Sequence, residues 1–275
     1  MKIIFLGTSS GAGKTIMTAM FCRYLKKNGI KVAPFKASNL SLNSFATKDR
    51  KEIGIGQAFQ ALASEIDATA EMNPILLKPS GNGIQTVING MISKRSKNEI
   101  GTEELLKEVL SAYDSLSKKY EAVVSEGSGS PAELNLTERD IANIRFPKER
   151  SVPSVLVGDI DRGGVFAGIY GTWLLLDDDS KRSMKGFIIN RFRGDDSILK
   201  SGTDRIEKLT GMRFLGTMPL ADLKFPDEDS LSMSSGKLSG SDVREAYLKN
   251  LDELVEIAEK HLDMDGLVSI ANMTI

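Results

Sequence analysis

The chain opens with MKIIFLGTSSGAGKT (residues 1–15), in which an apolar run leads directly into a loop rich in glycine and serine. Ile3 to Leu6 has the length and composition of a buried strand. The Gly-Lys-Thr at the end of the loop predicts the beginning of a helix, expected over 13–28. Strand, glycine-rich loop and helix in this order predict one βα unit, with its loop at the carboxyl end of the strand.

This loop has the composition of a site for nucleotide phosphates. Glycines let backbone N–H groups turn towards phosphate oxygens, and the N-terminus of the following helix adds a favourable field. Lys14 is expected to contact the β- and γ-phosphates, and the Thr15 hydroxyl to ligate Mg²⁺. In the usual pattern G-x-x-x-x-G-K-T a glycine would stand at Thr8, whereas here the glycine is Gly7. The predicted nucleotide-binding residues of the loop are Thr8, Ser9, Ser10, Gly11, Ala12, Gly13, Lys14 and Thr15.

Short apolar runs of strand length alternate with amphipathic stretches of helix length along the rest of the chain. Several runs are almost uniformly apolar, which is typical of parallel strands covered on both faces. The pattern predicts an α/β fold with a doubly wound, mostly parallel sheet. The predicted strands are 3–6, 31–34, 85–89, 122–125, 154–158, 186–190 and 213–217, and the predicted helices are 13–28, 52–65, 102–119, 164–176 and 203–210.

The composition changes near Phe225. Residues 227–242 are rich in Ser, Gly and Asp, which predicts an exposed connector, and an amphipathic helix then runs to about His261. We therefore expect a nucleotide-binding unit over 1–226 and a tail over 227–275. The apolar stripe of the tail helix has two possible partners, the body of the protein or another protein, and packing on the body is the commoner case.

Composition argues against several classes of protein. The 36 Lys and Arg residues balance 37 Asp and Glu residues, whereas a dedicated nucleic-acid binder usually has a strong basic excess. No apolar run has the length of a membrane span, and the N-terminus lacks the pattern of a signal peptide. With Cys22 as its one cysteine, the chain has no intramolecular disulfide. We expect a cytoplasmic protein that binds neither nucleic acid nor membrane.

Acidic residues follow two later strands, at the edge where open α/β sheets bind ligands. Glu126 ends an apolar strand and precedes a loop of small residues, so we expect it to ligate Mg²⁺; capping of a turn is the alternative. Asp159 and Asp161 stand in GDIDRGG (158–164) and are candidates for orienting Mg²⁺ or substrate. For either Asp the alternative is a buried side chain that holds the loop by hydrogen bonds.

Three further polar residues are expected near a bound nucleotide. Asn190 ends a late strand, where its amide is predicted to read the adenine edge, with Arg191 beside it. A role as a turn residue is the alternative for Asn190. Lys36 follows the second strand, close to the phosphate loop, which favours a contact with an anion over a solvated surface position.

With these motifs placed, the chain resembles the N-terminal, ATP-dependent amidotransferase domain of the cobyric acid synthase family. The similarity runs from Gly7 to about Pro226. Ile55 stands where that family usually has Arg, and Leu40 where it usually has Met. The segments that carry the resemblance are PFKASNLSLNS (34–44), EIGIGQAFQA (52–61), MNPILLKP (72–79), EGSGSPAELNL (126–136), DIAN (140–143), DIDRGGVFAGIYGT (159–172) and GFIINRFRGD (186–195).

The resemblance implies an ATP- and Mg²⁺-dependent amidoligase of cobalamin biosynthesis with a dethiobiotin synthetase-like P-loop NTPase fold. Its substrate would be a corrinoid polycarboxylate, adenosyl-cobyrinic acid a,c-diamide, amidated to cobyric acid through an acyl phosphate. Glu52 falls where the dethiobiotin synthetase pattern has an Asp, which makes it a second candidate metal ligand. The catalytic candidates are Lys14, Lys36, Glu126 and Asp161; the substrate-binding candidates are Lys36, Asn39, Asn43, Lys78, Ser128 and Arg162; the metal-binding candidates are Thr15, Glu52 and Glu126.

The source of nitrogen is a separate question. Proteins of the cobyric acid synthase family normally continue into a glutaminase domain with a Cys nucleophile and a His partner. Here Cys22 is expected to be a core residue of the first helix, and His261 to lie in the last turn of the tail helix. We therefore expect nitrogen from free ammonia or from a separate glutaminase subunit. Homodimerisation stays open.

Two other functions compete with this interpretation. A dethiobiotin synthetase is an ATP-dependent carboxylase that also uses a Lys at the position of Lys36, but the DIDRGG and NRFRGD segments count against it. A non-enzymatic P-loop ATPase scaffold is the second alternative. Partition-type ATPases have an extra lysine where this chain has Ser9, and the chain has no basic amphipathic tail, so both features count against a scaffold.

Overall fold

A computed structural model describes residues 1–80, 83–95, 99–225 and 243–274. Its strands are β1 (Lys2–Gly7), β2 (Val32–Phe35), β3 (Ser38–Leu40), β4 (Ser44–Ala46), β5 (Glu52–Gly54), β6 (Ile75–Ser80), β7 (Gly83–Ile88), β8 (Met91–Ile92), β9 (Ala122–Glu126), β10 (Ser154–Asp159), β11 (Met184–Phe192) and β12 (Arg213–Pro219). Its helices are α1 (Lys14–Lys27), α2 (Ile55–Ala63), α3 (Thr102–Lys119), α4 (Phe146–Glu149), α5 (Val165–Leu175), α6 (Asp178–Ser183), α7 (Lys200–Thr210), α8 (Val243–His261) and α9 (Met264–Ala271), with a π-helical turn at Ile141–Arg145.

The central sheet has six parallel strands in the order β12-β11-β10-β1-β9-β2. Successive residues of a strand point to opposite faces, so β1 contributes to two cores. Ile3 and Phe5 pack with α1, α8 and α9, whereas Ile4 and Leu6 pack with α3, α5 and α7. Helices therefore cover both faces, and the predicted doubly wound parallel sheet is confirmed.

Two predictions from periodicity need correction. The predicted strand 85–89 is β7, but it pairs antiparallel with β6 in a second, four-stranded sheet of order β3-β6-β7-β8. The predicted helix 52–65 begins only at Ile55, because Glu52–Gly54 forms β5 and pairs with β4. Local pattern indicates a strand or a helix, but pairing partners are chosen by tertiary contacts.

The tail helix packs on the body of the protein, which is the commoner of the two cases given by the sequence analysis. Leu251 and Leu254 of α8 are buried in the core that also contains residues of α1. Phe59 of α2 lies against Tyr247 of α8, with ring centroids 5.8 Å apart. The predicted connector 227–242 lies outside the described residues, so the division of the chain into two units stays a prediction.

No helix in the described ranges has both the length and the apolar composition that a membrane crossing requires.

An ion-pair cluster links α8 to the body. Arg23 of α1 donates to both carboxylate oxygens of Asp252, at 2.8 and 3.1 Å, and to Glu65 at 2.6 Å. The Arg23 guanidinium lowers the pKa of Asp252 by hydrogen bonding and by its charge. A carboxylate with a depressed pKa stabilises the fold above the pKa it has when unfolded, and that contribution is lost as the pH falls through the folded-state pKa.

We therefore predict that Asp252→Asn lowers the free energy of unfolding at pH 7 by about 0.5–1 kcal/mol, since Asp252 is partly exposed and solvent screens the pair. The difference from wild type should shrink as the pH falls below about 4, where the unfolded carboxyl takes up a proton. Urea denaturation at pH 7 and pH 3 measures both values. Glu256→Gln, on the exposed side of the same helix, is the control. An equal loss at both pH values would contradict the assignment of the effect to the Arg23 pair.

Candidate functional site

The loop between β1 and α1 lies at the switch point of the sheet, where the chain connections on the two sides of β1 run in opposite directions. β1 is flanked by β9 on one side and β10 on the other, so the loop stands at the crevice where doubly wound sheets bind ligands. Gly11 and Gly13 have φ of 72° and 103°, a region that L side chains rarely adopt. Position 13 is also closed by packing, because a Cβ there would lie 2.0 Å from Asn190 Nδ2.

Thr8, which stands where the usual pattern has glycine, packs against α5. Gly168 of α5 faces this residue, and a Cβ added at Gly168 would lie 3.5 Å from Thr8 Cβ. The Thr8 N–H donates to the carbonyl of Val157 in β10 at 3.0 Å. A Cβ at position 168 would thus be in van der Waals contact with Thr8, so α5 packs directly against residue 8 of the phosphate loop.

Asn190 braces the phosphate loop. Its Nδ2 donates to the Ala12 carbonyl at 2.9 Å, and its Oδ1 accepts from the Arg191 backbone N–H at 2.9 Å. Arg191 has φ of 60°, and its guanidinium donates to Asp159 Oδ2 at 2.6 Å. Both polar atoms of the Asn190 amide are thus engaged with the backbone. Its predicted reading of the adenine edge stays a prediction.

Glu126 is the centre of a buried polar network at the same edge. The residue is 1% exposed, and its Oε1 accepts from the Thr15 hydroxyl and from Lys36 Nζ, each at 2.8 Å. Lys36 is itself 5% exposed, so the two charges form a buried ion pair. A buried carboxylate is tolerated only when a cation and hydrogen bonds compensate it, and Glu126 has both. The structure thus brings Thr15, Lys36 and Glu126 together.

Two glutamines that the sequence analysis missed complete this network. Gln60 Nε2 donates to Glu126 Oε2 at 2.6 Å, and Gln57 Nε2 lies 3.4 Å from the same oxygen. Gln57 Oε1 in turn accepts from Asn39 Nδ2 at 3.1 Å. The available signal was the spacing of the glutamines, since residues three apart lie on one face of a helix.

Lys14 joins the phosphate loop to the loop that follows Glu126. Its Nζ donates to the carbonyls of Ser9 at 3.0 Å and Gly129 at 2.9 Å. Asn143 holds the second loop from the other side, because its side chain accepts from Ser128 N at 2.8 Å and donates to Ser128 O at 2.6 Å. The predicted substrate residue Ser128 is therefore fixed beside the phosphate loop.

Asp140 fixes Asn143 in turn. Its carboxylate accepts from the backbone N–H groups of Ala142 and Asn143, at 3.0 and 2.7 Å, and from Asn143 Nδ2 at 2.8 Å. Burial raises the pKa of Asp140, and these hydrogen bonds partly offset that effect. The segment 140–143, which the sequence analysis identified only by resemblance, thus supports the loop at Ser128.

The residues at this edge are suited to hold Mg²⁺. Thr15 and Glu126 offer a hydroxyl and a carboxylate oxygen one hydrogen bond apart, and hard oxygen donors are what Mg²⁺ prefers. Among the described residues no group of three or more His, Cys, Asp or Glu side chains has the spacing of a metal site. A magnesium ion here would therefore need phosphate oxygens or water as further ligands, as is usual for this ion.

Comparison with known proteins identifies the family. Residues 3–230 match the model of CbiA, described as the CobQ/CobB/MinD/ParA nucleotide binding domain. The chain belongs to this family. The predicted nucleotide-binding class is thereby confirmed.

Within the CobQ/CobB/MinD/ParA family, similar curated proteins are cobyric acid synthases. The "Probable cobyric acid synthase" of Archaeoglobus fulgidus is 48% identical over 240 residues, which cover 86% of this chain and 52% of that protein. The "Cobyric acid synthase" of Klebsiella pneumoniae is 42% identical over 279 residues, which cover 100% of this chain and 52% of that protein. The resemblance found in the sequence is confirmed. The chain spans about half the length of these relatives.

A solved structure supports the fold. The chain from the structure titled "MinC:MinD cell division protein complex, Aquifex aeolicus" superposes with a TM-score of 0.50 at 16% identity, and the alignment covers 99% of this chain and 96% of that one. At this identity the likeness concerns architecture alone.

Three of the remaining substrate and metal candidates are Glu52, Lys78 and Asn43, and each forms hydrogen bonds within the region between β3 and β6. Glu52 forms an ion pair with Lys78, whose Nζ also donates to Ser44 Oγ at 3.3 Å. Burial acts to raise the pKa of Glu52, but the hydrogen bonds from Lys78 and Ser44 outweigh it and lower the pKa. Asn43 accepts at its backbone carbonyl from the Ser41 hydroxyl at 3.1 Å. The role of Glu52 as a metal ligand stays a prediction.

Asp159 and Asp161 form a ladder of ion pairs with the segment after β11. Asp159 pairs with Arg191 and Asp161 with Arg193, while the Asp161 N–H donates to Asp159 Oδ1 at 2.8 Å. Asp159 accepts a hydrogen bond from the loop, as in the alternative role, but Asp159 is only partly buried and Asp161 is exposed, so neither is the buried residue that the alternative described. Arg162 is exposed in this loop. The catalytic role of Asp161 and the substrate role of Arg162 stay predictions.

The contact between Thr8 and Gly168 leads to a prediction. Gly168→Val should weaken nucleotide binding by about tenfold or more, because the added methyl groups would displace the phosphate loop and small displacements in binding sites are costly. Fluorescence titration with a labelled ATP analogue measures the affinity. Gly171→Val is the matched control, since a Cβ at Gly171 of the same helix meets nothing within 4 Å. Equal affinities of the two variants would show that position 168 does not support the loop.

Proposed function

We propose that the chain carries out ATP-dependent amidation of peripheral carboxylates of a corrinoid, converting adenosyl-cobyrinic acid a,c-diamide to cobyric acid. One observation carries the proposal: Lys14, Thr15, Lys36 and Glu126 converge at the carboxyl edge of the sheet. The chain that holds them is 42–48% identical to proteins named cobyric acid synthase. That relationship supports the corrinoid as substrate.

The chemistry requires activation of a carboxylate, because its oxygen is a poor leaving group. Attack of a substrate carboxylate oxygen on the γ-phosphorus of ATP would form an acyl phosphate and release ADP. Ammonia would then attack the acyl carbon, forming the C–N bond and expelling phosphate, with the surplus proton passing to solvent. The task of the protein is to position the reactants and to compensate charge, as in other phosphoryl transfers.

The network around Glu126 divides this task. Lys14 Nζ now donates to the carbonyls of Ser9 and Gly129. When ATP binds, it would exchange these bonds for stronger, charge-assisted hydrogen bonds to phosphate oxygens. Thr15 and Glu126 would hold Mg²⁺, which supplies charge compensation for the phosphates. Lys36 is held by Glu126 at the same edge, where a substrate carboxylate would be a competing anion.

The other substrate contacts belong to the same proposal. A multiply charged anion needs several cations, and Lys78 and Arg162 are the further candidates for that role. Asn39, Asn43 and Ser128 are the further polar candidates for substrate contacts. Asn39 is linked to Glu126 through Gln57, which supports its inclusion.

The test is formation of amidated products from cobyrinic acid a,c-diamide with ATP, Mg²⁺ and ammonia, followed by mass spectrometry. Each amidation replaces OH by NH₂, so the products form a regular mass series. Lys14→Ala should reduce turnover by about 100-fold or more, because charge compensation at the transferred phosphoryl group is worth several kcal/mol. Lys118→Ala, an exposed lysine on α3, is the control.

Two results would contradict the proposal. Turnover by a folded Lys14→Ala variant at the wild-type rate would show that this loop takes no part in the reaction. ATP turnover that requires diaminopelargonate and ignores the corrinoid would favour the dethiobiotin synthetase alternative.

The nitrogen source gives a separate prediction. Cys22 is fully buried, and burial raises the pKa of its thiol to about 12, partly offset by a hydrogen bond with Ser64. Such a thiol is not a nucleophile at neutral pH. Cys22→Ser should therefore leave ammonia-dependent amidation within about twofold of wild type. Its cost should be a loss of stability from placing a hydroxyl in the core.

With this 275-residue chain alone, glutamine should not replace ammonia, and addition of a separate glutaminase should restore product. Steady-state assays with each nitrogen source, together with thermal melts of both proteins, test this. Loss of glutamine-dependent product specifically in Cys22→Ser would contradict it.

A further inference from the structure

Gln60 links the first turn of α1 to Glu126. The residue is fully buried, and its Nε2 donates to Glu126 Oε2 at 2.6 Å and to the Thr15 backbone carbonyl at 3.3 Å. It therefore contacts both residues whose oxygens are suited to a divalent cation. Among the groups that bind Glu126, Gln60 makes the shortest of the described contacts.

The orientation of the Gln60 amide follows from its partners. A carboxylate oxygen and a carbonyl oxygen both accept, so the NH₂ group of Gln60 must face them. This leaves Gln60 Oε1 buried with no hydrogen-bond partner among the described atoms. The two hydrogen bonds that the NH₂ group donates fix this orientation of the amide.

The two oxygens of Glu126 are thereby given different surroundings. Oε2 is occupied by the neutral amides of Gln60 and Gln57, whereas Oε1 faces the Thr15 hydroxyl and Lys36. An amide donates hydrogen bonds without cancelling the carboxylate charge, which a second lysine at this place would do. Glu126 Oε2 is therefore held in a fixed orientation without a cation beyond the Lys36 that already pairs with Oε1.

We propose that Gln60 is a positioning residue that holds Glu126 Oε1 towards Thr15 for a divalent cation bound with the nucleotide. The proposal rests on the proposed function, because it takes Thr15 and Glu126 as the metal ligands. Groups that orient a metal-ligating carboxylate typically change metal affinity by about 10–100-fold when they are removed.

The test measures Mn²⁺ binding by electron paramagnetic resonance, with a non-hydrolysable ATP analogue present. Gln60→Met keeps a long, unbranched side chain but removes the donor, and it should weaken Mn²⁺ binding by about tenfold or more. Affinity for the analogue without metal should change by less than about twofold, since Gln60 makes no contact with the loop 8–13 among its described hydrogen bonds. Glu126→Gln gives the scale for loss of the ligand itself.

The control removes a similar bond elsewhere. Asn89 Nδ2 donates to Glu108 Oε2, also at 2.6 Å, and Asn89 has φ of 48°, which glycine adopts readily. Asn89→Gly should therefore leave Mn²⁺ binding unchanged. Gln60→Asn is the second variant, because it keeps the amide but shortens the side chain by one methylene, so that its donor falls short of Glu126. It should weaken Mn²⁺ binding in the same direction.

The outcomes separate the two proposals. If the wild-type chain binds no Mn²⁺ with the analogue, the proposed function fails. If wild type binds Mn²⁺ and a folded Gln60→Met or Gln60→Asn variant binds it equally well, the positioning role of Gln60 is overturned and the proposed function stands. If the Gln60 variants lose metal and metal-free nucleotide binding to the same extent, the role of Gln60 is general support of α1, which also overturns the proposal.

Discussion

The arrangement of the site depends on one buried carboxylate. Glu126 is almost fully shielded from solvent, and removal of its charge from water is costly unless a cation and hydrogen bonds compensate it. Lys36, Thr15 and Gln60 supply that compensation from three different parts of the chain. The segment after β2, the start of α1 and the inner face of α2 must therefore meet at the end of β9. The network therefore fixes the first turn of α1, which follows the phosphate loop directly.

The sheet makes that meeting possible. β9 lies between β1 and β2, so the three strand ends that carry the phosphate loop, Glu126 and Lys36 are neighbours at one edge. β10 and β11 continue on the other side of β1 and bring Asp159 and Asn190 to the same edge. In a parallel sheet all carboxyl ends lie together, so residues far apart in sequence become neighbours without any long loop.

The region between β2 and α3 adds the parts that a plain doubly wound sheet lacks. It forms a second sheet and the β4–β5 hairpin, which carry Asn39, Lys78 and Glu52, and it leads into α2 with its two glutamines. This region approaches the site through hydrogen bonds between side chains, such as the one from Asn39 to Gln57. Selectivity for a substrate would reside here, because the phosphate loop itself recognises only phosphate and metal.

The sequence by itself determined the local elements: the glycine-rich loop after β1, the uniformly apolar strands of the sheet, the amphipathic helices, and the position of Glu126 at a strand end. These follow from propensity and periodicity, which act over a few residues. Only the tertiary structure decided that β7 pairs outside the main sheet, that Asn190 braces Ala12, that Gly168 lies against Thr8, and that Gln60 donates to Glu126. Each of these depends on a contact between residues that are distant along the chain. The two partners of a buried hydrogen bond are close in space but can lie at any distance from each other along the sequence. They are therefore known only when the fold brings them together.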